Sequence, residues 1–190
     1  LGNKSVETYL LNLFTGAAAV GYFAIAAALT RGGVDLLSSG LSSVLMPMMA
    51  HAYGAQGLEQ VGRVLGNAVR IFLFFGLLLA GSAALAADLA VQLLYGSAYA
   101  PVADVFRWMV VIGGLTLSEG AFGALLSTTD HQRLRALIAS SSILLTLGLA
   151  LWWIPIHGLM GALAAHAASR LLLMAVLVLG TRIALGLRLP

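Results

Sequence analysis

The stretch that decides the fold is Ala136–Ile156, ALIASSSILLTLGLALWWIPI, which carries no ionisable side chain over a length that a membrane-crossing helix requires. A bilayer's hydrocarbon core is about 30 Å thick and takes about 20 apolar residues of helix to cross. The rest of the chain resembles this segment. Of the 190 residues 61% are hydrophobic and 9% charged, and the mean hydropathy is +0.99. Soluble domains average about 25% charged residues, and these few ionisable groups cannot cover a water-facing surface. In lipid the demand reverses, because apolar side chains are solvated by acyl tails and only the backbone must be satisfied internally. The expected fold is therefore all-α, a polytopic transmembrane helix bundle.

Outward from Ala136–Ile156, the same window finds four more full spans and one partial span. The partial one covers Asn3–Gly16. The full ones are Ala18–Met49, long enough to be tilted or interrupted near Gly32-Gly33, then the apolar run from Val64 to Ala87, then Phe106–Thr128, and finally Gly158–Thr181. The expected connections are His51–Arg63, Leu94–Pro101, Ser127–Arg135 and the hairpin Ile156-His157-Gly158, each marked by glycine, proline or a polar cluster. No soluble domain, repeat or low-complexity tail is visible. The chain opens on Leu1 with no signal-peptide pattern before the first span, which suggests a fragment of a longer protein.

Charge sets the orientation. With His51–Arg63, Ser127–Arg135 and the C-terminus on one side, that side holds Arg63, Arg70, Arg133, Arg135, Arg182 and Arg188, against Arg107 alone opposite. Basic residues favour the cytoplasmic flank. Tyr22, Tyr95, Tyr99, Trp108, Trp152 and Trp153 fall near the other boundary, where amphipathic rings sit at headgroup level.

Lys4, Glu7, Arg31, Asp35, Glu119, His166 and Arg170 then remain inside spans. Each costs about 2.5–3.5 kcal/mol at a helix centre, so they face the bundle interior or a wet cavity. Arg31 and Asp35 share a helix face with Ser38 and Ser42, and an intrahelical ion pair competes with a ligand-binding role. His166 and Arg170 repeat that spacing. Arg170 needs either an anionic ligand or a cross-helix partner, Glu119 or Asp35. Glu119, among small residues, is either an ion-coupling site or a hydrogen-bonded link between helices. Ser140, Ser141, Ser142 and Thr146 can satisfy themselves on carbonyls one turn back. His51, His131 and His157 read as solvated loop residues.

Catalysis has little support. HExxH, GxGxxG and Walker loops are missing, and cysteine is absent, which excludes thiolate metal sites. An intramembrane serine protease would use Ser42 with His157 or His166, but Ser43 stands where such a site wants glycine. No catalytic residue, metal ligand or cofactor is assigned, and the scattered arginines do not suggest nucleic acid.

Four ordered segments carry a resemblance. ETYLLNLFTGAAAVGYFAIA (Glu7–Ala26) holds an acid, Leu10-Leu11, Gly16 and Val20-Gly21-Tyr22-Phe23. VLMPMMAHAYGAQG carries Pro47. LLYGSAYAPVADVFRWM carries Gly96, Ser97 and Tyr99, and WWIPIHGLMGALAAHAAS carries Pro155, Gly158, Gly161 and Ala162. In this order they resemble the second half of polysaccharide (O-antigen type) flippases of the multidrug/oligosaccharidyl-lipid/polysaccharide exporter superfamily. Glu7 replaces that family's usual Asp and Phe23 its second Tyr, and the usual Asn before the Ile-Pro turn is not evident. The resemblance implies one lobe, spans seven to twelve, of a two-lobe exporter, whose missing N-terminal lobe is a partner. It implies flipping of an undecaprenyl-diphosphate-linked oligosaccharide, for lipopolysaccharide or another surface polysaccharide, across the bacterial inner membrane. Arg31 and Arg170 would meet the diphosphate, with Lys4 in support; Arg107, near the outer mouth, would either meet the substrate at release or, the favoured reading, serve as an interfacial anchor. Asp35, Glu119, Glu7 and His166 would serve as ion-coupling groups or charge partners. Two other readings stay open: a cation-coupled multidrug exporter of the same fold, and a non-transporting assembly subunit.

Overall fold

The computed structural model describes residues 6–129 and 131–186, and among them the side chains of all but Val6 and Gln56. Lys4 and Arg188 lie outside these residues. The described chain is helical apart from short joints: α1 (Val6–Phe14), α2 (Ala17–Leu85), α3 (Ala87–Tyr95), a 3₁₀ turn (Ser97–Tyr99), α4 (Pro101–Thr116), α5 (Glu119–Thr128) and α6 (Gln132–Leu185).

Two of these cannot be single spans. At 1.5 Å per residue, α2 would extend roughly 100 Å and α6 roughly 80 Å, against a core of about 30 Å. Each reverses at one glycine. Gly57 (φ 70°, ψ −159°) divides α2 into α2a (Ala17–Ala55) and α2b (Gly57–Leu85). Gly158 (φ 55°, ψ −128°) divides α6 into α6a (132–157) and α6b (158–185). Contacts at matching distances from the breaks show antiparallel hairpins: Gly33 lies against Leu79, and Gly180 against Ile138. Glycine is needed at both joints because an L side chain rarely takes a positive φ.

The bundle is thus an up-and-down series, α2a, α2b, α4–α5, α6a and α6b, with α1 laid antiparallel on α6b. Thr15 sits beside Gly158, while Glu7 reaches His166 further along. The chain is a multi-pass membrane protein; the described residues form four helices long and apolar enough to cross, the last folded into two. Pro101–Thr128 is central: 67% of its most apolar window is buried, against 11%, 22% and 28% for the others. Around it α2b comes closest, because Gly76 faces Gly114. A Cβ on Gly76 would lie 2.1 Å from the Gly114 carbonyl oxygen, so only paired glycines allow this crossing.

Of three apolar clusters among the described residues, the smallest, Leu126, Ile138 and Leu177, joins α5 to both halves of α6, and the other two sit at opposite ends of the bundle. Leu11, Phe23, Val102, Phe106 and Ile154 pack at the aromatic-rich end, and Met49, Val61, Leu65, Phe122 and Leu125 at the arginine-rich end. Between α4 and α5 the helix tightens, with Gly120 N–H bonding the Leu117 carbonyl (3.1 Å) and Ala121 N–H that of Ser118 (3.0 Å). Such a 3₁₀ turn within a span often marks a functional position, and Glu119 sits on it.

Several expectations are corrected. Of the two alternatives for the first span, interruption at Gly32-Gly33 is excluded, because the helix runs unbroken from Ala17 to Ala55. His51–Arg63 is helix on both sides of Gly57 rather than loop, since backbone groups left unpaired near lipid would cost several kcal/mol each. His51 is therefore an exposed helical residue. His131 is not merely solvated: it precedes α6, half-buried, with Nδ1 2.5 Å from the Thr129 carbonyl oxygen. The expected joint Leu94–Pro101 is correct except that a short helix, α3, leads into it. Ser141, Ser142 and Thr146 bond carbonyls of their own helix, as expected.

Candidate functional site: an arginine-lined groove

A cavity of about 710 Å³ runs along the bundle between α2a, α4–α5 and both halves of α6. Its walls bring together residues far apart in sequence. From α2a come Arg31, Asp35, Ser38 and Ser42, whose spacing of three and four residues puts them on one helical face. α5 contributes Glu119, and α6 contributes Arg135, His166 and Arg170. The small residues Gly113, Gly120 and Gly123 open the space on the central helix. A Cβ on Gly120 would come within 2.9 Å of the Phe72 ring and 3.1 Å of the Ser38 hydroxyl.

Arg170 donates to Glu119 Oε2 at 3.0 Å, across two helices. Of the two expected partners, Glu119 is the one it meets. The pair is uneven, with the Glu119 side chain 17% exposed and that of Arg170 45%. The other oxygen, Glu119 Oε1, is buried with no hydrogen-bond partner among the described residues. Arg170 therefore has free donors toward the cavity while its carboxylate partner is held in the wall.

Arg31 and Asp35 do not form the intrahelical ion pair that their spacing allows; neither has an ion-pair partner among the described residues. Both side chains point into the cavity instead. His166 Nδ1 lies 3.0 Å from Glu7 Oε1, so α1 is tied to α6b behind the groove, and Glu7 is almost fully buried. Of these two candidates for ion coupling or charge pairing, His166 lines the cavity and Glu7 stands behind it.

Arg107 is elsewhere. It donates to Asp104 (2.7 Å), to Asp88, and to the Ala84 carbonyl (3.3 Å) at the end of α2b. Two carboxylates neutralise it, and it does not line the cavity. These bonds make it a clamp joining α2b, α3 and α4, away from the groove. Near it Tyr95 and Tyr99 pair at 5.9 Å, and Trp152 and Trp153 pair at 6.1 Å beside the Gly158 hairpin.

Arg135 lines the groove, although its sequence neighbours suggested only a cytoplasmic flank. The signal was there in part: Arg135 falls one helical turn before Ile138 and Ala139, which share the cavity wall. What the sequence could not give was the bond from Arg135 to Ser127 on α5 (2.5 Å).

Chemically, the groove offers three guanidinium groups against two carboxylates, with hydroxyls and small residues between. That set binds and orients anions. Among the described residues no three His, Asp, Glu or Cys side chains cluster as a metal site. The profile of a family described as polysaccharide biosynthesis protein matches residues 2–104. No curated protein and no solved structure matches the chain.

Proposed function

The chain belongs to the polysaccharide biosynthesis protein family, and from that premise we propose that it carries a lipid-linked oligosaccharide diphosphate across the bacterial inner membrane. The substrate is moved by alternating access and not chemically altered. The observation that carries this reading is the juxtaposition of Arg31 and Arg170 in one cavity within apolar helices. A diphosphate leaving water loses its hydration, and only fixed cations in a wet groove can replace it. Guanidinium suits the task, because its planar fork matches phosphate oxygens and it stays charged.

The ordered motifs shared with the second half of such exporters support reading the chain as one lobe, spans seven to twelve of a two-lobe exporter, with an N-terminal lobe as its partner. Glu119 keeps Arg170 compensated when no substrate is bound, and a phosphate competes with it for the same donors. The cation-coupled drug exporter is less well supported. Its acid would be Asp35, which has no ion-pair partner among the described residues, since Glu119 is engaged by Arg170; but three arginines line the groove against these two carboxylates, a balance that favours an anion over a cation.

The test is an assay of outer-leaflet lipid-linked oligosaccharide in cells lacking the gene. Complementation by the wild type and failure by Arg31→Gln or Arg170→Gln is the expected result. Normal outer-leaflet levels without the protein would refute the proposal.

A further inference from the structure

We infer that Arg135 forms a second anion-binding station, at the cytoplasmic end of the groove, which takes the diphosphate before Arg31 and Arg170 do. The inference rests on the transport reading and adds to it a residue and an order of events.

Arg135 lies in the first turns of α6, immediately after the joint between α5 and α6. By the distribution of basic residues that joint is cytoplasmic. Arg31 and Arg170 lie deeper, roughly 20 Å from the opposite ends of α2a and α6b at 1.5 Å per residue. One cavity contains all three. The cavity wall they share carries the hydroxyls of Ser38 and Ser42 and the small residues Gly123 and Ala139 alongside the apolar Ile138, Leu173 and Leu177, so one continuous cavity joins the stations.

The guanidinium is held in place. Nη1 donates to the Ser127 hydroxyl at 2.5 Å, and a Cβ on Gly123 would lie 3.8 Å from Cζ, Nε and Nη2. The group therefore lies flat over a glycine on α5. That bond occupies one N–H, and the rest of its five donors remain available to a ligand. No carboxylate stands within ion-pair distance among the described residues. A cytoplasm-facing arginine that served only orientation would be free to extend into water. This one, though exposed, is fixed by a hydroxyl of α5 at the wall of the groove.

The chemistry selects a diphosphate or similar polyanion, and two sources share it: the head of a polyprenyl diphosphate lipid, or free inorganic diphosphate. The full chain in lipid nanodiscs would be titrated with farnesyl diphosphate, with farnesol and with inorganic diphosphate. The variants are Arg135→Gln, Arg135→Lys, Ser127→Ala and Arg31→Gln. Farnesyl diphosphate should bind wild type well and farnesol at least tenfold more weakly. Arg135→Gln should slow farnesyl diphosphate association about tenfold with little change in dissociation, because the deep station is intact. Arg31→Gln should mainly speed dissociation. Arg135→Lys should restore part of the association rate, and Ser127→Ala should lower it about threefold. If inorganic diphosphate competes as well as the lipid, the station reads the phosphates alone; that supports the assignment of Arg135 and leaves the tail to other contacts. Unchanged association in Arg135→Gln, with Arg31→Gln still impaired, would overturn this inference and leave the transport reading standing. Equal binding of farnesol and farnesyl diphosphate by wild type would overturn both.

Discussion

The Arg170–Glu119 pair supports a prediction in which the two single substitutions have unequal effects. The 3.0 Å separation corresponds to a gross attraction of about 5–6 kcal/mol at an effective dielectric constant of about 20. Arg170 is nearly half exposed to the groove, so water screens the pair and the net stabilisation falls to about 1 kcal/mol. The cost of breaking the pair depends on which partner is removed. Glu119→Gln leaves an arginine facing a wet cavity, and should cost about 0–1 kcal/mol. Arg170→Gln leaves a carboxylate that is 17% exposed, already carrying one oxygen without a hydrogen bond. Uncompensated buried charge costs about 3–5 kcal/mol, and partial exposure brings this to about 2–3 kcal/mol. The double substitution should then fall close to Glu119→Gln. Unfolding by SDS titration in mixed micelles, followed by fluorescence of the three tryptophans, measures all four proteins. Equal losses for the two single variants, or a double variant worse than both, would refute the argument that the groove is wet and the carboxylate walled in.

Three further outcomes follow from the packing. Gly114→Ala should destabilise by about 1–3 kcal/mol, because its Cβ would meet the Gly76 carbonyl oxygen at 2.3 Å and the Ala80 Cβ at 2.7 Å; the same titration reads it. Gly158→Ala forces a side chain into φ 55°, ψ −128° and should cost about 1–3 kcal/mol, seen as loss of the folded peak on detergent gel filtration at lower temperature. Arg107→Ala should lower thermal stability by releasing Asp88 and Asp104, yet leave farnesyl diphosphate affinity in nanodiscs unchanged.

The spans were legible because lipid leaves only one solution for the backbone, and charge-free runs of sufficient length announce it. Their joints were less so. Gly32-Gly33 looks like a breaker, but a glycine pair within a span keeps its helical hydrogen bonds where water is scarce, and Gly33 packs on Leu79. The polar composition of His51–Arg63 looks like a loop, yet a single residue, Gly57, makes the whole reversal. Nothing in a one-dimensional pattern distinguishes a glycine that bends the chain from one that lets helices approach, such as Gly76 or Gly114.

The site divided along similar lines. Arg31 and Arg170 stood out because an arginine in an apolar span demands an explanation, and the cavity contains both. Arg107 also stood out, but Asp104 one turn before it and Asp88 on the neighbouring helix neutralise it. The first of these was readable from the i, i+3 spacing; the second needed the fold. Arg135 was hidden by its company, a polar joint where arginine is ordinary. Only the crossing of α5 and α6, which brings Ser127 and Gly123 beneath it, holds it at the groove wall.

The central claim is that water and phosphate reach these arginines inside the membrane. The chain has no cysteine, so single-cysteine variants report cleanly on what solvent each position meets. Ser38→Cys and Ser42→Cys face the groove, whereas Leu36→Cys and Leu144→Cys lie on the exposed apolar surface. With a membrane-impermeant thiol reagent applied from the cytoplasmic side, the account predicts rapid labelling of the two groove positions, slowed by farnesyl diphosphate, and none of the two lipid-facing ones. Groove cysteines as unreactive as the lipid-facing pair would contradict it.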